Sequence, residues 1–132
     1  MAGVHEKRSV LIVDDNSLFA EMLTTMLTDL GHAVVSCTNP HQALKIFSEE
    51  EERFDVVIVD ENMPDMTGIE LTKKLLQIKK SLPVILLTGY GNRLSMKQLR
   101  SGGFRKVLLK PLLKYDLQAV LEKAVYHSSN GG

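Results

Sequence analysis

Short apolar runs alternate with segments of helical periodicity along almost the whole chain, and no other feature limits its fold so tightly. Val10-Leu11-Ile12-Val13 is a continuous apolar run rich in β-branched residues, which suits a strand buried on both faces. Behind it Asn16 is a fitting N-cap. Leu18, Phe19, Met22, Leu23, Met26, Leu27 and Leu30 then recur at helical spacing as far as Gly31, a C-terminal stop. The alternation predicts four more rounds: strand 33–37 and helix 40–48, with Pro40 in the first turn; strand 55–59 and helix 68–79; strand 84–87 and helix 93–100; strand 106–109 and helix 114–126. Five βα units with short connections make a parallel sheet with helices on both faces, because parallel neighbours need right-handed crossovers. The expected class is therefore α/β, a doubly wound (βα)5 sheet in the flavodoxin-like order 2-1-3-4-5. Sheets of this kind bind ligands beyond the carboxyl ends of the strands where the order reverses, so chemistry belongs directly after strands 1, 3, 4 and 5.

Polar residues stand at each of those places. Asp14 and Asp15 follow strand 1, Asp60 follows strand 3, Thr88 strand 4 and Lys110 strand 5. Strands 1 and 3 are neighbours in the expected order, so their three carboxylates should converge. Converging like charges raise one another's pKa unless a cation or an ammonium sits beside them. An oxygen-only donor set with vacant positions suits Mg²⁺ or Mn²⁺, and Lys110 brings a point charge on a flexible stem. With the charge offset, one carboxylate can attack phosphorus and form an acyl phosphate. Phosphoryl transfer asks chiefly for positioning and for stabilisation of the equatorial oxygens. Thr88 can donate its hydroxyl to one oxygen, and Gly89 leaves room for the incoming group. Singly, these residues are explained as loop caps, a strand-end hydroxyl and a solvated lysine. Five of them at the ends of four strands are not.

Composition bounds the alternatives. With 132 residues, 44% hydrophobic and 24% charged, the chain fits one compact domain and leaves no room for a second catalytic or DNA-binding domain. No apolar run approaches the ~18 residues of a membrane span. The polar opening lacks the apolar stretch of a secretory signal, so the expected location is the cytoplasm. Residues 1–8 and 127–132 read as flexible ends around a domain at 9–126. Cys37, the single cysteine, lies among apolar neighbours and reads as core. His5, His32, His41 and His127 lack ligand spacing and read as surface residues. The net charge of zero hides a division: residues 1–70 hold 14 acids and 4 bases, residues 71–132 hold 2 acids and 12 bases. Glu49 to Glu52 read as a solvated loop, and Lys73, Lys74, Lys79 and Lys80 as the outer face of a helix. Arg93, Lys97, Arg100, Arg105, Lys106 and Lys114 are expected to give the strand 4–strand 5 side a positive potential that steers an acidic partner. The bases lack interleaved exposed aromatics, so no nucleic-acid contact is expected, nor any with a membrane.

Four motifs occur in order: Leu11-Ile12-Val13-Asp14-Asp15, Val57-Ile58-Val59-Asp60-Glu61-Asn62-Met63-Pro64-Asp65-Met66-Thr67-Gly68, Leu86-Leu87-Thr88-Gly89 and Leu109-Lys110-Pro111. In these the sequence resembles a response-regulator receiver domain, the phosphoacceptor module of two-component signalling, over roughly residues 9–126. The resemblance implies that Asp60 accepts a phosphoryl group from a histidine kinase or a histidine phosphotransfer protein. It implies Mg²⁺ held by Asp14, Asp15, Asp60 and the main-chain carbonyl of Asn62, with Thr88 and Lys110 on the phosphoryl oxygens. The peptide before Pro111 is expected to be cis, and Pro64 and Gly68 to shape the loop after Asp60.

Receivers report phosphorylation through an aromatic three residues before the lysine, and here that position is Val107. A valine cannot carry a ring between exposed and buried positions, so output is muted or uses another surface; Phe104 nearby reads as core. Asn62 and Tyr90 occupy the positions that border the attacking water in the family, and Tyr90 is expected to shield the phosphoryl group in part. The chain ends soon after its last helix, so no effector is expected. The run 86–91 and the polar ends favour the receiver of a hybrid histidine kinase over a standalone regulator.

Other classes fit less well. A haloacid-dehalogenase-like phosphatase wants Asp-x-Asp after strand 1, where this chain has Asp14-Asp15-Asn16. A flavodoxin-like redox protein wants a phosphate-binding loop there and aromatics for the flavin. The main alternative is an interaction module with the receiver fold that is never phosphorylated.

Overall fold

All four pairings between neighbouring strands are parallel, and numbered along the chain the strands lie in the order 2-1-3-4-5. The computed structural model describes residues 6–89, 103–104, 106–109 and 114–129. Its strands are β1 (Ser9–Val13), β2 (Ala33–Cys37), β3 (Val56–Asp60), β4 (Val84–Thr88) and β5 (Lys106–Leu109). Its helices are α1 (Ser17–Asp29), α2 (Pro40–Glu49), α3 (Gly68–Ile78) and α4 (Lys114–Ser129). This is the flavodoxin-like doubly wound sheet that the alternation predicts. The helix expected at 93–100 lies outside the described residues.

The unbroken apolar runs are explained by two cores. Leu11, Val13, Val57, Val59 and Val84 pack with Ala43 and Phe47 of α2 and Leu71 and Leu75 of α3 on one face of the sheet. Val10, Ile12, Val56, Ile58, Ile85 and Leu87 pack with Leu23 and Leu27 of α1 and Leu117 and Leu121 of α4 on the other. Successive strand residues point to opposite faces, so a strand covered on both sides must be apolar at every position. Cys37 is buried as expected, and its burial raises the thiol pKa.

Local signals set the helix ends. Asn16 Oδ1 accepts from the Phe19 N–H at 3.1 Å, and Asn39 caps α2 ahead of Pro40. Gly31, at φ 96°, closes α1: its N–H donates to the Thr28 carbonyl at 2.9 Å and the His32 N–H to the Leu27 carbonyl at 3.0 Å. This pair of bonds is the Schellman arrangement, which needs the left-handed conformation that glycine adopts at least cost.

Several boundaries differ from expectation. Asp55 precedes β3 because its backbone and side chain turn to Ser9: the Asp55 N–H donates to the Ser9 carbonyl, and the Ser9 N–H to Asp55 Oδ2, both at 2.8 Å. Asp60 is the last residue of β3, opposite Leu87. α4 continues three residues beyond the expected end, since no glycine or proline stops it before Gly131. Glu49 to Glu52 are exposed, with Glu50 paired to Arg53 and Glu52 to Lys79, so Lys79 is half-buried rather than on the open face of α3. Of the expected basic edge, Lys114 has a described side chain, and it pairs with Asp29.

His32 corrects the reading of the histidines as surface residues, for it is only 4% exposed. It follows the glycine that ends α1, where the chain turns inward to enter β2. The Arg8 N–H donates to its Nδ1 at 2.9 Å, and its Nε2 lies 2.8 Å from Gln118 Oε1 of α4. In the neutral ring Nδ1 is thus the acceptor and Nε2–H the donor. Arg8 is tied in as well, its carbonyl accepting from the Ala33 N–H at 2.9 Å. Replacing His32 by alanine leaves the Arg8 N–H without this acceptor and should cost about 2 kcal/mol in a urea titration. A change under a few tenths would mean that water replaces the ring.

Candidate functional site

The carboxyl ends of β1, β3 and β4 open on one edge of the sheet. β1 and β3 pair in register from Val10↔Val56 to Val13↔Val59, so the next residues, Asp14 and Asp60, emerge side by side. Asp15 joins them: the three side chains each offer an oxygen, all within 4.8 Å of one another. Asp14 and Asp60 are buried and Asp15 is exposed, so the cluster has a closed floor and an open mouth. The turn out of β1 is held by the Asn16 N–H donating to Asp14 Oδ1 at 2.9 Å, and by the Asp14 N–H donating to the Cys37 carbonyl at 3.0 Å.

This donor set fits a hard divalent cation. All its donors are oxygens, and two oxygens on one Mg²⁺ stand at most about 4.2 Å apart, a small closure from the separations here. The mouth at Asp15 leaves positions for water or for a phosphate oxygen.

Thr88 ends β4 one step beyond the Asp60–Leu87 pair, and its Oγ1 is buried without a hydrogen-bond partner among the described residues. A buried hydroxyl in that condition costs stability, and such groups concentrate where a ligand supplies the missing partner. The isosteric replacement Thr88→Val removes the orphan. It should stabilise the unliganded protein by about 1 kcal/mol while slowing any phosphoryl uptake. Thermal unfolding and an uptake assay read the two effects, and a destabilised variant would show that the hydroxyl is satisfied in solution.

Gly89 follows, and a Cβ there would meet nothing within 4 Å among the described residues. Lys110, Tyr90 and the peptide before Pro111 lie outside the described residues. Asn62 and Pro64 are exposed on the loop after β3, which Met63 and Met66 anchor to the core. Val107 stands opposite Leu86 on β5, 38% exposed, and Phe104 packs half-buried against the α2–α3 core.

Two contacts at the loop between Asp60 and α3 are not legible in the sequence, although Gly68 is expected to shape that loop. Gly68 touches the end of β3 so closely that a Cβ would sit 2.6 Å from the Asp60 carbonyl oxygen. Glu61, 6% exposed, turns its carboxylate back to the Ile69 N–H at 2.9 Å. Burial pushes the Glu61 carboxyl pKa up; the Ile69 amide opposes that, and the charge of Asp60 adds to it. The motif contains both residues, but nothing in their spacing reveals the contacts.

Comparison with known proteins identifies the family. The family model described as "Response regulator receiver domain" matches residues 10–122. The transcriptional regulatory protein ZraR of Escherichia coli K12 is 32% identical over 124 residues, 94% of this chain and 28% of that protein. The two-component response regulator ORR26 of Oryza sativa subsp. japonica is 33% identical over 84% of this chain and 19% of its own length. The chain thus spans less than a third of these curated relatives. Among solved structures, a response regulator receiver domain protein from Clostridium thermocellum superposes with a TM-score of 0.88 at 26% identity, over 95% of this chain and 99% of that one. FixJ-N superposes with a TM-score of 0.82 at 29% identity, over 93% and 97%. A family model covering both aspartate-bearing strand ends, relatives above 30% identity and the sheet itself agree: the chain belongs to the response regulator receiver domains of two-component signalling.

Proposed function

We propose that Asp60 is the phosphoacceptor, and that Asp14, Asp15, Asp60 and the Asn62 carbonyl hold Mg²⁺, or Mn²⁺ in its place. The observation that carries this reading is the convergence of three carboxylates from two adjacent strands beside a buried hydroxyl with no partner among the described residues. A bound Mg²⁺ offsets the carboxylate charge and that of the phosphoryl oxygens. An Asp60 carboxylate oxygen attacks the phosphorus of a phosphohistidine on a histidine kinase or a histidine phosphotransfer protein. The O–P bond forms as the N–P bond breaks, and its electron pair stays on the imidazole nitrogen, which takes a proton and leaves as the neutral ring. Thr88 and Lys110 donate to the phosphoryl oxygens, and Gly89 provides the space they occupy. Hydrolysis of the acyl phosphate by water resets the domain, and Tyr90 and Asn62 border that path.

The donor approaches the open mouth at Asp15. Leu18 and Met22, one turn apart on α1, the helix that follows Asp15 in the chain, are 78% and 40% exposed and offer apolar contact. Where the domain is part of a hybrid histidine kinase, the donor is that chain's own kinase core. A cytoplasmic location follows from such donors, and among the described residues no helix is long and apolar enough to cross a membrane. The basic edge from Arg93 to Lys114 would serve an acidic output partner.

Incubation with acetyl phosphate and Mg²⁺ tests the reading: intact mass should rise by one phosphoryl group, and chelation of the metal should prevent it. Val107 in place of an aromatic favours a second reading, an interaction module independent of phosphorylation. A protein that takes up no phosphoryl group, yet binds its partner, would establish that one.

A further inference from the structure

The first turn of α3 shows where Glu61 spends its hydrogen bonds. A helix leaves its leading N–H groups without intrahelical partners. Here the Gly68 N–H donates to the Glu61 carbonyl at 3.1 Å, and the Ile69 N–H to Glu61 Oε1 at 2.9 Å. The Glu70 N–H donates to Thr67 Oγ1 and the Thr67 N–H to Glu70 Oε1, both at 3.1 Å. All four groups are satisfied, two of them by Glu61. Its own N–H donates to the Leu87 carbonyl of β4 at 2.9 Å, so the residue is fastened at three points. The positive end of the helix dipole offsets the burial of its carboxylate.

The bond from Glu61 to Ile69 closes a ring around residues 62–67, the loop that begins with Asn62. We propose that Glu61 is a positioning residue: its carboxylate, reaching the N-terminus of α3, fixes the loop that presents the Asn62 carbonyl to the metal. This rests on the metal site proposed above. Glu61 is not a ligand, and it acts through the geometry of the ring. Reach therefore matters and charge does not. Glutamine keeps the acceptor oxygen at the same reach without the charge. Aspartate keeps the charge but is one methylene short of Ile69.

Mg²⁺ alone, titrated calorimetrically into the unphosphorylated chain, separates the two. Glu61→Gln should bind within about twofold of the wild type. Glu61→Asp should bind about tenfold more weakly, as for loss of a partner that orients a metal ligand. Hydrogen exchange supplies a second measurement: the Ile69 amide should exchange slowly in the wild type and in Glu61→Gln, and quickly in Glu61→Asp. The reverse pattern, with aspartate normal and glutamine altered, would overturn the proposal in favour of a role for the charge; equal affinities with altered Ile69 exchange would overturn it by showing that the ring does not affect metal binding. A wild type that binds no Mg²⁺ would instead sink the metal site, and the positioning role with it.

Discussion

Asp60→Asn will take up no phosphoryl group from acetyl phosphate under conditions in which the wild type gains one, and its fold will be unchanged. Asparagine matches aspartate in shape, so the packing of Asp60, 3% exposed at the end of β3, is preserved. A neutral amide is a poor nucleophile toward phosphorus, and one of three converging charges is gone. Relief of that repulsion should make the metal-free variant about 1 kcal/mol more stable than the wild type. The expected result is therefore a double one: complete loss of uptake with a raised midpoint of thermal unfolding. Mass spectrometry of the intact chain and calorimetric unfolding measure the two. A phosphoryl group on Asp60→Asn, mapped by peptide to Asp14 or Asp15, would transfer the acceptor role to that residue.

Gly68→Ala will force α3 away from the end of β3. Its Cβ would stand 2.6 Å from the Asp60 carbonyl oxygen, 2.8 Å from Leu86 Cδ1 and 2.9 Å from Glu61 Cα. Leu86 can rotate away, but the other two atoms are backbone and can yield only if β3 and α3 separate. In an open helix the same change would gain up to about 1 kcal/mol from propensity. Here the overpacking reverses the sign, and a net loss of about 3 kcal/mol is expected in urea. The displaced atoms belong to the proposed phosphoacceptor and its neighbour, so phosphoryl uptake should slow along with the loss of stability. Unaltered stability would mean that α3 slides along the sheet without resistance, contrary to the bonds from Gly68 and Ile69 to Glu61.

The legible part of this protein is the part written in local pattern. A buried strand must be apolar on both faces, so Val10-Leu11-Ile12-Val13 announces its place in the middle of the sheet. Asn16, Asn39 and Gly31 act on the backbone within a few residues of themselves, so helix ends could be read from them. The chemically able residues stood out because each follows an apolar run whose end is a strand end. His32 was misread because a polar residue after a glycine looks exposed, while the partners that bury it, Arg8 and Gln118, lie 24 and 86 residues away. Glu61 is not legible because its worth depends on a bond to Ile69, eight positions on, that forms only when the intervening loop folds back.

By itself the sequence determined the alternation, the strand order it implies and the chemical inventory of Asp14, Asp15, Asp60 and Thr88, since these follow from periodicity and residue type. Only the tertiary structure decided that the three carboxylates meet within 4.8 Å, that Thr88 finds no partner among the described residues, and that Gly68 admits no side chain. Those are distances between segments far apart in the chain. They are set by the parallel register of β1 on β3 and by how closely α3 docks on the sheet, which no local pattern encodes.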